Sequence, residues 1–203
     1  MKPELSILIP THNRPDLFQR CLHSALDCDD YHIEIIVNND SNDIREIKDK
    51  RVKYHYNKFD NLSAVYKFLL DQSKGEHVYF LEDDDYLAKD FYDKLVLDSD
   101  IIVGNYMPCH DLKNMLNYSM MYMNEYSTSD MFEKNIDSQR LQLGQFIFRR
   151  NTIKDWIFPE NSDIHNDELL VRYALQNAEM VRTLNRVFYH QTQDGGDNIS
   201  FPE

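Results

Sequence analysis

The sequence predicts a single α/β domain in which a mainly parallel sheet is flanked by helices. Over the first hundred residues, short runs rich in β-branched and aromatic side chains alternate with amphipathic segments, which is the pattern of βαβ units. A chain of 203 residues suits one domain, and 42% of hydrophobic residues can form a sizeable core. No repeat or low-complexity linker in the sequence suggests a boundary.

Six runs are predicted to be strands because each is short and rich in residues that favour β-strands. In chain order they are LSILIP (5–10), IEIIVN (33–38), RVKYHY (51–56), HVYFL (77–81), DIIVGNY (100–106) and LGQFIFRR (143–150). The segment EMVRTLNRVFYHQT (179–192) is predicted to be a strand pair or one extended segment.

Three segments are predicted to be helices because their apolar residues recur every three or four positions. The first, PDLFQRCLHSAL (15–26), begins with a proline that suits a first helical turn. The second, NLSAVYKFLLDQSKG (61–75), is expected to close at Gly75 in a left-handed cap. The third is HNDELLVRYALQNA (165–178).

Charge and composition narrow the classes of function. The 35 acidic residues outnumber the 22 Lys and Arg, and the formal charge of −13 disfavours nucleic acid and anionic lipid surfaces as partners. No run approaches the length of a membrane span and the N-terminus lacks a signal-peptide pattern, so a cytoplasmic location is predicted. The three cysteines, Cys21, Cys28 and Cys109, are interpreted as reduced structural thiols.

Four consecutive acids, Glu82 to Asp85, directly follow the predicted strand HVYFL. Ligands of open α/β sheets collect outside the carboxyl ends of the strands. Carboxylates crowded at such a place repel one another unless a cation compensates, and Mg²⁺ or Mn²⁺ takes oxygen ligands while leaving positions open for substrate phosphates. The alternative is a solvated acidic turn that caps a following helix, AKDFYDKLVL (88–97), with Asp85 near its positive end.

Two other predicted strands also end in clusters of short polar side chains. Such groups suit a nucleobase and a ribose, although each cluster alone also fits ordinary loop chemistry. With the acidic run, three strand ends in register predict a nucleotide site with a metal near the diphosphate. The clusters are Thr11, His12, Asn13 and Arg14 after the first strand, and Asn38, Asn39, Asp40 and Ser41 after the second.

Three ordered motifs resemble the N-terminal half of family 2 glycosyltransferases: SILIPTHNRPDLFQRCLHSAL (6–26), EIIVNNDSND (34–43) and NLSAVYKFLLDQSKGEHVYFLEDDDYL (61–87). The resemblance implies the Rossmann-like GT-A fold, with a donor-binding half at 1–105 and an acceptor-binding half with a C-terminal tail at 106–203. It also implies transfer of a sugar from a nucleotide-diphosphate donor, commonly a UDP sugar. Mn²⁺ or Mg²⁺ would assist the transfer, which usually inverts the anomeric carbon.

The resemblance assigns the donor-binding residues by position. Pro10 and Thr11 would lie beside the nucleoside, with Arg14 near it. Asp40 would contact the base. Asp83 would approach the ribose.

The resemblance also indicates the metal and phosphate contacts. Asp84 would be the principal metal ligand, while Asp85 would support the metal shell or cap a helix. His190 would complete the shell or touch the diphosphate, and the alternative is an ordinary hydrogen-bonded histidine. Lys67 is either a phosphate neighbour or a solvated helix lysine.

The family's Glu-Asp pair near the start of the last helix falls on Asn166 and Asp167, which makes Asp167 the expected catalytic base. The family's arginine lies one residue further from that aspartate than Arg172 does from Asp167. Glu168 is a second candidate base. The alternative is a charged first turn in which both acids only favour the helix dipole.

The predicted function is metal-dependent transfer of a sugar from a nucleotide-sugar donor to a glycan or other hydroxyl acceptor. Alternatives are the same chemistry on a nucleobase, protein or metabolite, a catalytically silent nucleotide- or glycan-binding module, and a metal-dependent nucleotidyltransferase that releases pyrophosphate. The segment from Met107 to Met131, rich in Met and Tyr, is interpreted as an acceptor-binding wall, a homodimer contact, or a peripheral hairpin and helix.

Overall fold

The structure is a computed structural model and describes residues 2–28, 32–41, 45–93, 95–108, 142–157 and 166–192. Residues 109–131 of the segment rich in Met and Tyr lie outside this part, so its three interpretations stay predictions.

The elements are β1 (Leu5–Thr11), α1 (Pro15–Leu26), β2 (Ile33–Asn39), β3 (Val52–His55), α2 (Leu62–Gln72), β4 (His77–Phe80), β5 (Tyr86–Leu87), β6 (Ile101–Pro108), a 3-10 helix (Leu143–Gln145), β7 (Phe146–Arg149), α3 (Arg150–Ile153), α4 (Asn166–Asn177) and β8 (Val181–Gln191).

The described strands form one eight-stranded sheet in the order β3-β2-β1-β4-β7-β6-β8-β5. The four strands β3, β2, β1 and β4 are mutually parallel, as the βαβ pattern predicts. The other half is mixed, because β7 is antiparallel to both β4 and β6 while β8 is parallel to β6 and antiparallel to β5. The carboxyl ends of β2, β1 and β4 therefore lie at one edge of the sheet.

Helices cover both faces of the sheet, which explains why every residue of β1 and β2 is buried without alternation. Successive residues of β1 point to opposite layers: Ile7 and Ile9 pack with α1, whereas Leu8 packs with α2. The α2 layer also contains buried residues of α4, among them Leu170. Asn61 begins α2 by accepting a hydrogen bond from the Ala64 N–H at 2.9 Å.

The expected left-handed cap at Gly75 is wrong. The helix α2 ends at Gln72, Ser73 follows as its C-cap, and every described glycine has a negative φ. Gly75 instead allows close approach to β1, where its N–H donates to the Ser6 hydroxyl at 2.8 Å. A β-carbon at position 75 would lie 2.6 Å from Ser6 Oγ and 2.7 Å from Ser6 N.

We predict that Gly75→Ala lowers the free energy of unfolding by about 1–3 kcal/mol, because the added methyl group overpacks the α2–β4 turn against β1. Urea unfolding of both proteins measures the change. Lys74→Ala is the matched control at a neighbouring exposed position, with an expected change within about 0.5 kcal/mol. A Gly75→Ala protein as stable as the control would show that the turn has room for a side chain.

The strands decide two predictions from the sequence, one for the segment 179–192 and one for the segment 88–97. The segment 179–192 contains one long strand, β8, with a register shift that sets Thr183 opposite Val103 but Val187 opposite Asn105. The helix expected at 88–97 is not formed in its described residues, which make turns after the short strand β5. Asp85 is therefore not a helix cap, because β5 begins at the next residue.

Candidate active site

The polar ends of β1 and β4 are in direct contact. The Thr11 hydroxyl donates to Asp83 Oδ2 at 2.8 Å, and the His12 N–H donates to the same oxygen at 3.3 Å. The acidic run after β4 and the turn after β1 therefore form one cluster, as their positions in the sequence predict.

A small cleft beside this cluster lies between the ends of β1 and β2 and the start of α2. His12 Nδ1 is hydrogen-bonded to Asp40 Oδ1 across it. Asn38 is buried there, and its side-chain amide donates to the Asn57 carbonyl oxygen at 3.0 Å. The lining residues are Pro10, Thr11, His12, Asn38, Asp40, Leu62 and Val65.

The turn after β1 is also tied to the end of β2. Asn13 has a φ of 51°, a left-handed conformation that asparagine tolerates better than most side chains. Its N–H donates to Ser41 Oγ at 3.2 Å. The sequence assigns no role to His12. In the structure its N–H is hydrogen-bonded to Asp83 and its ring to Asp40.

The acids of the run differ in burial. Asp83 is fully buried, and burial raises its pKa to about 6 against the opposing effects of the Thr11 hydroxyl and Arg14. Burial also raises the pKa of Asp85 to about 7, although its carboxylate accepts the Thr192 N–H at 2.9 Å. The Asp84 side chain, the predicted metal ligand, is 32% exposed.

Glu82 is oriented by two neighbouring helices. Its carboxylate accepts a hydrogen bond from the Tyr66 hydroxyl of α2, and its main-chain carbonyl lies 3.4 Å from the Cys21 thiol of α1.

A cavity of about 50 Å³ separates the run from the residues before β7. It is lined by Phe80, Leu81, Glu82, Asp85, Gln142, Leu143, Gly144 and Tyr189.

The carboxylates of the acidic run fit a divalent cation that also binds oxygens of a substrate. Within residues that the structure describes, no three His, Cys, Asp or Glu side chains are grouped to hold a metal by themselves. Mg²⁺ is typically held by one or two carboxylates together with substrate phosphates and waters, and carboxylate oxygens also suit Mn²⁺. A positively charged nitrogen already bridges two of the carboxylates, since Arg14 Nη1 lies 2.7 Å from Asp84 Oδ2 and 3.2 Å from Asp83 Oδ1.

His190 lies at the end of β8, opposite Tyr86 of β5. The two rings stack with centroids 4.8 Å apart and planes 12° from parallel. Burial lowers the pKa of His190 and so favours its neutral form. Its role as a metal ligand stays a prediction.

Arg20 of α1 ties the tail after β8 to the acidic run. Its Nη2 donates to the main-chain carbonyl of Asp84 and to the Thr192 hydroxyl, both at 2.6 Å. Its guanidinium also lies 4.7 Å from the Tyr86 ring centroid. Nothing in the local spacing of α1 distinguishes Arg20 from a surface arginine, so sequence reasoning missed it.

Comparison with known proteins decides the family. The sequence model described as Glycosyl transferase family 2 matches residues 6–156, more than half of the chain. The chain belongs to this family. It is 26% identical over 157 residues to Glycosyltransferase GlyA of Streptococcus pneumoniae, covering 68% of the chain and 22% of that protein. It is 36% identical over 95 residues to a GalNAc(5)-diNAcBac-PP-undecaprenol beta-1,3-glucosyltransferase of Campylobacter jejuni, covering 42% of the chain and 31% of that protein.

Solved structures of similar shape support the fold of this family 2 chain. S. aureus TarS 1-349 in complex with UDP-GlcNAc has a TM-score of 0.73 at 20% identity, over 97% of this chain and 60% of that one. Mannosyltransferase PcManGT from Pyrobaculum calidifontis, in complex with GDP-Man and Mn²⁺, has a TM-score of 0.64 at 14% identity, over 94% and 57%. The predicted Rossmann-like GT-A fold is confirmed, and this chain spans less than two thirds of either structure. Among the described helices none is long and apolar enough to cross a membrane.

Two of the residues assigned from the family resemblance lie on helices. Lys67 forms an ion pair with Asp71 one turn along α2. This partner is not one of the polar side chains that follow β1, β2 and β4. Asp167 lies in the first turn of α4. The neighbouring candidate, Glu168, is 4.0 Å from Arg172, carboxylate oxygen to guanidinium nitrogen. The roles of Lys67 and Asp167 stay predictions.

Asp85 gives this family 2 chain a testable pH dependence. An acid whose folded-state pKa is raised binds a proton more readily in the folded protein, so its contribution to stability falls as pH rises from about 4 to about 7. Asparagine cannot ionise. Without divalent cations, we predict that the stability of Asp85→Asn relative to wild type increases by about 2 kcal/mol between pH 5 and pH 8.

Urea unfolding of both proteins at both pH values, in the presence of a chelator, measures this difference. Comparing the two proteins at each pH cancels the titration of every other group that the substitution leaves unchanged. A difference that stays constant from pH 5 to pH 8 would mean that burial does not raise the pKa of Asp85.

Proposed function

We propose that this chain is a metal-dependent glycosyltransferase that moves a sugar from a nucleotide-diphosphate donor, a UDP sugar, to a hydroxyl acceptor with inversion. The observation that supports the proposal most is the 2.8 Å hydrogen bond between Thr11 and Asp83. It makes the cleft at the ends of β1 and β2 continuous with the acidic run at the end of β4. A nucleoside in the cleft would therefore have its diphosphate beside the carboxylates.

The lining of the cleft suits a nucleoside. Pro10 and Thr11 would pack beside the nucleoside, and Asp40 would accept an N–H of the base. Asp83 would approach the ribose. TarS bound to UDP-GlcNAc supports a uridine donor, while PcManGT bound to GDP-Man and Mn²⁺ supports a metal ion.

A divalent cation would be held by Asp84, with Asp85 and His190 around it. When bound, such an ion neutralises the negative charge that develops on the departing diphosphate. Asp84 is suited to this role because it is the more exposed of the two carboxylates that contact Arg14. The cationic side chains of Arg14 and Arg20 would add to the positive field on the same side of the sheet.

Transfer also needs a base for the acceptor hydroxyl. Asp167 would take the proton as the acceptor oxygen bonds to the anomeric carbon and the bond from that carbon to the diphosphate breaks. One displacement on the face opposite the diphosphate inverts the anomeric centre. This proposal is supported by the packing of α4, which shares a core cluster with Leu143, a residue that lines the cavity next to Asp85.

The test is calorimetric binding of UDP and GDP with and without Mn²⁺, followed by an assay for nucleoside diphosphate released from the corresponding sugar nucleotides. We expect metal-dependent binding of UDP and slow release of UDP with water as acceptor. Binding without release across sugars and acceptors would instead identify a silent binding module. Pyrophosphate release from a nucleoside triphosphate would identify a nucleotidyltransferase, and failure of both nucleotides to bind would refute the donor site.

A further inference from the structure

We propose that Arg14 is an internal counter-ion that occupies Asp84 until a divalent cation displaces it, and that the displaced guanidinium then contacts the donor diphosphate. The proposal rests on the proposed function, because the cation and the diphosphate belong to that reaction. Its first part concerns the cation alone and can be tested without any nucleotide.

The decisive observation is a single nitrogen shared by two carboxylates. Arg14 Nη1 lies 2.7 Å from Asp84 Oδ2 and 3.2 Å from Asp83 Oδ1. Hydrogen bonds between ionised groups are the strong ones, and here one partner, Asp83, is fully buried. The positive charge of Arg14 thus offsets part of the repulsion among the four acids, a role that a bound metal ion would otherwise have.

The same contact obstructs a metal ion at Asp84. An ion coordinated by Asp84 Oδ2 would need the oxygen that Arg14 now holds at 2.7 Å, and it would lie next to another positive charge. At such separations repulsion between cations is strong wherever water is partly excluded. This repulsion would favour release of Arg14 from Asp84 when an ion coordinates the carboxylate.

The backbone of Arg14 is anchored, so the exchange requires only side-chain rotation. Its carbonyl accepts the Phe18 N–H at 2.9 Å as α1 begins, and Pro15 follows it directly. The Arg14 side chain is 14% exposed, so part of it already faces the solvent from which an ion would arrive. The released guanidinium would remain at the same strand ends, where its planar fork of donors can bind two oxygens of a diphosphate.

Arg20 provides a natural comparison within the site. It contacts the main-chain carbonyl of Asp84 and the Thr192 hydroxyl, and neither contact uses a carboxylate oxygen. Removing Arg20 also removes one positive charge near the acidic run. Only removal of Arg14 frees an oxygen that a metal ion would coordinate.

The test is the affinity for Mn²⁺ alone, measured from the electron paramagnetic resonance of the free ion in wild type, Arg14→Met and Arg20→Met. We expect Arg14→Met to bind Mn²⁺ at least about tenfold more tightly than wild type, and Arg20→Met to gain less than about threefold. Arg14→Gln is a second neutral variant, and thermal unfolding checks that each protein is folded.

Equal gains in the two Met variants would refute the proposal, since the effect would then be general electrostatics. Weaker binding by Arg14→Met would also refute it, because Arg14 would then be orienting Asp84 for the metal. Tighter Mn²⁺ binding by Arg14→Met, with no nucleotide bound by either protein, would support the exchange while refuting the proposed function.

Calorimetry with UDP tests the second part. In wild type, Mn²⁺ and UDP should strengthen each other's binding reciprocally, because the ion releases the arginine that the diphosphate needs. In Arg14→Met this coupling should fall by about fivefold or more, even though Mn²⁺ alone binds more tightly. Coupling that is unchanged in Arg14→Met would show that the guanidinium does not move to the diphosphate.

Discussion

Asp84→Asn should reduce metal-stimulated sugar transfer by about 10³-fold, because the acidic run loses the charge of a partly exposed carboxylate to which a metal ion can bind. The side chain of Asp84 is 32% exposed and faces a bridging cationic nitrogen, whereas Asp83 is fully buried. The same substitution should abolish the Mn²⁺ dependence of UDP binding. Initial rates at saturating donor and calorimetric titrations measure the two effects.

Asp93→Asn is the matched control, since it removes the same charge from an exposed residue of the following turn. Its rate should stay within about twofold of wild type, because exposed charges are well screened. If Asp84→Asn retained a tenth of the wild-type rate with its metal dependence intact, Asp84 would not be the principal metal ligand.

Asp167→Asn should lower kcat by about 10²- to 10⁴-fold while leaving UDP binding unchanged, because a general base acts in the chemical step and not in donor binding. This separates Asp167 from Asp84, whose loss should impair both. Single-turnover rates with a preformed donor complex, combined with calorimetry, measure the distinction.

Glu168→Gln is the matched control at the next position of α4. We expect less than a tenfold effect, because Glu168 lies 4.0 Å from Arg172 and has a charge partner on its own helix. A large loss in Glu168→Gln and a small one in Asp167→Asn would assign the base to Glu168. Small losses in both variants would indicate that α4 supplies no base and would favour the silent binding module.

Much of the fold was predictable because it depends on local patterns. The order of strands and helices through β4 follows from apolar runs alternating with amphipathic segments, and parallel strands then bring their carboxyl ends to one edge. Contact between Thr11 and Asp83 was predictable in this sense, although they are 72 residues apart. The end of α2 was not, because the close approach of Gly75 to Ser6 is a contact between distant segments.

The interactions inside the candidate site were harder to predict from the sequence. Thr192 donates to Asp85, and Arg20 spans Thr192 and Asp84, but neither pattern has a periodic spacing in the sequence. The helix expected after the acidic run also failed as a prediction. Its described residues make turns that follow the short strand β5, which pairs with β8.

The amino-acid sequence by itself determined the chemical groups at the strand ends and the parallel half of the sheet that aligns them. Local periodicity and residue type suffice for both. Only the tertiary structure decided that Asp83 is buried, that Asp84 stays partly exposed, and that one nitrogen of Arg14 bridges the two. Burial and ion pairing depend on residues far apart in the chain, and burial raises the pKa of Asp83 and Asp85.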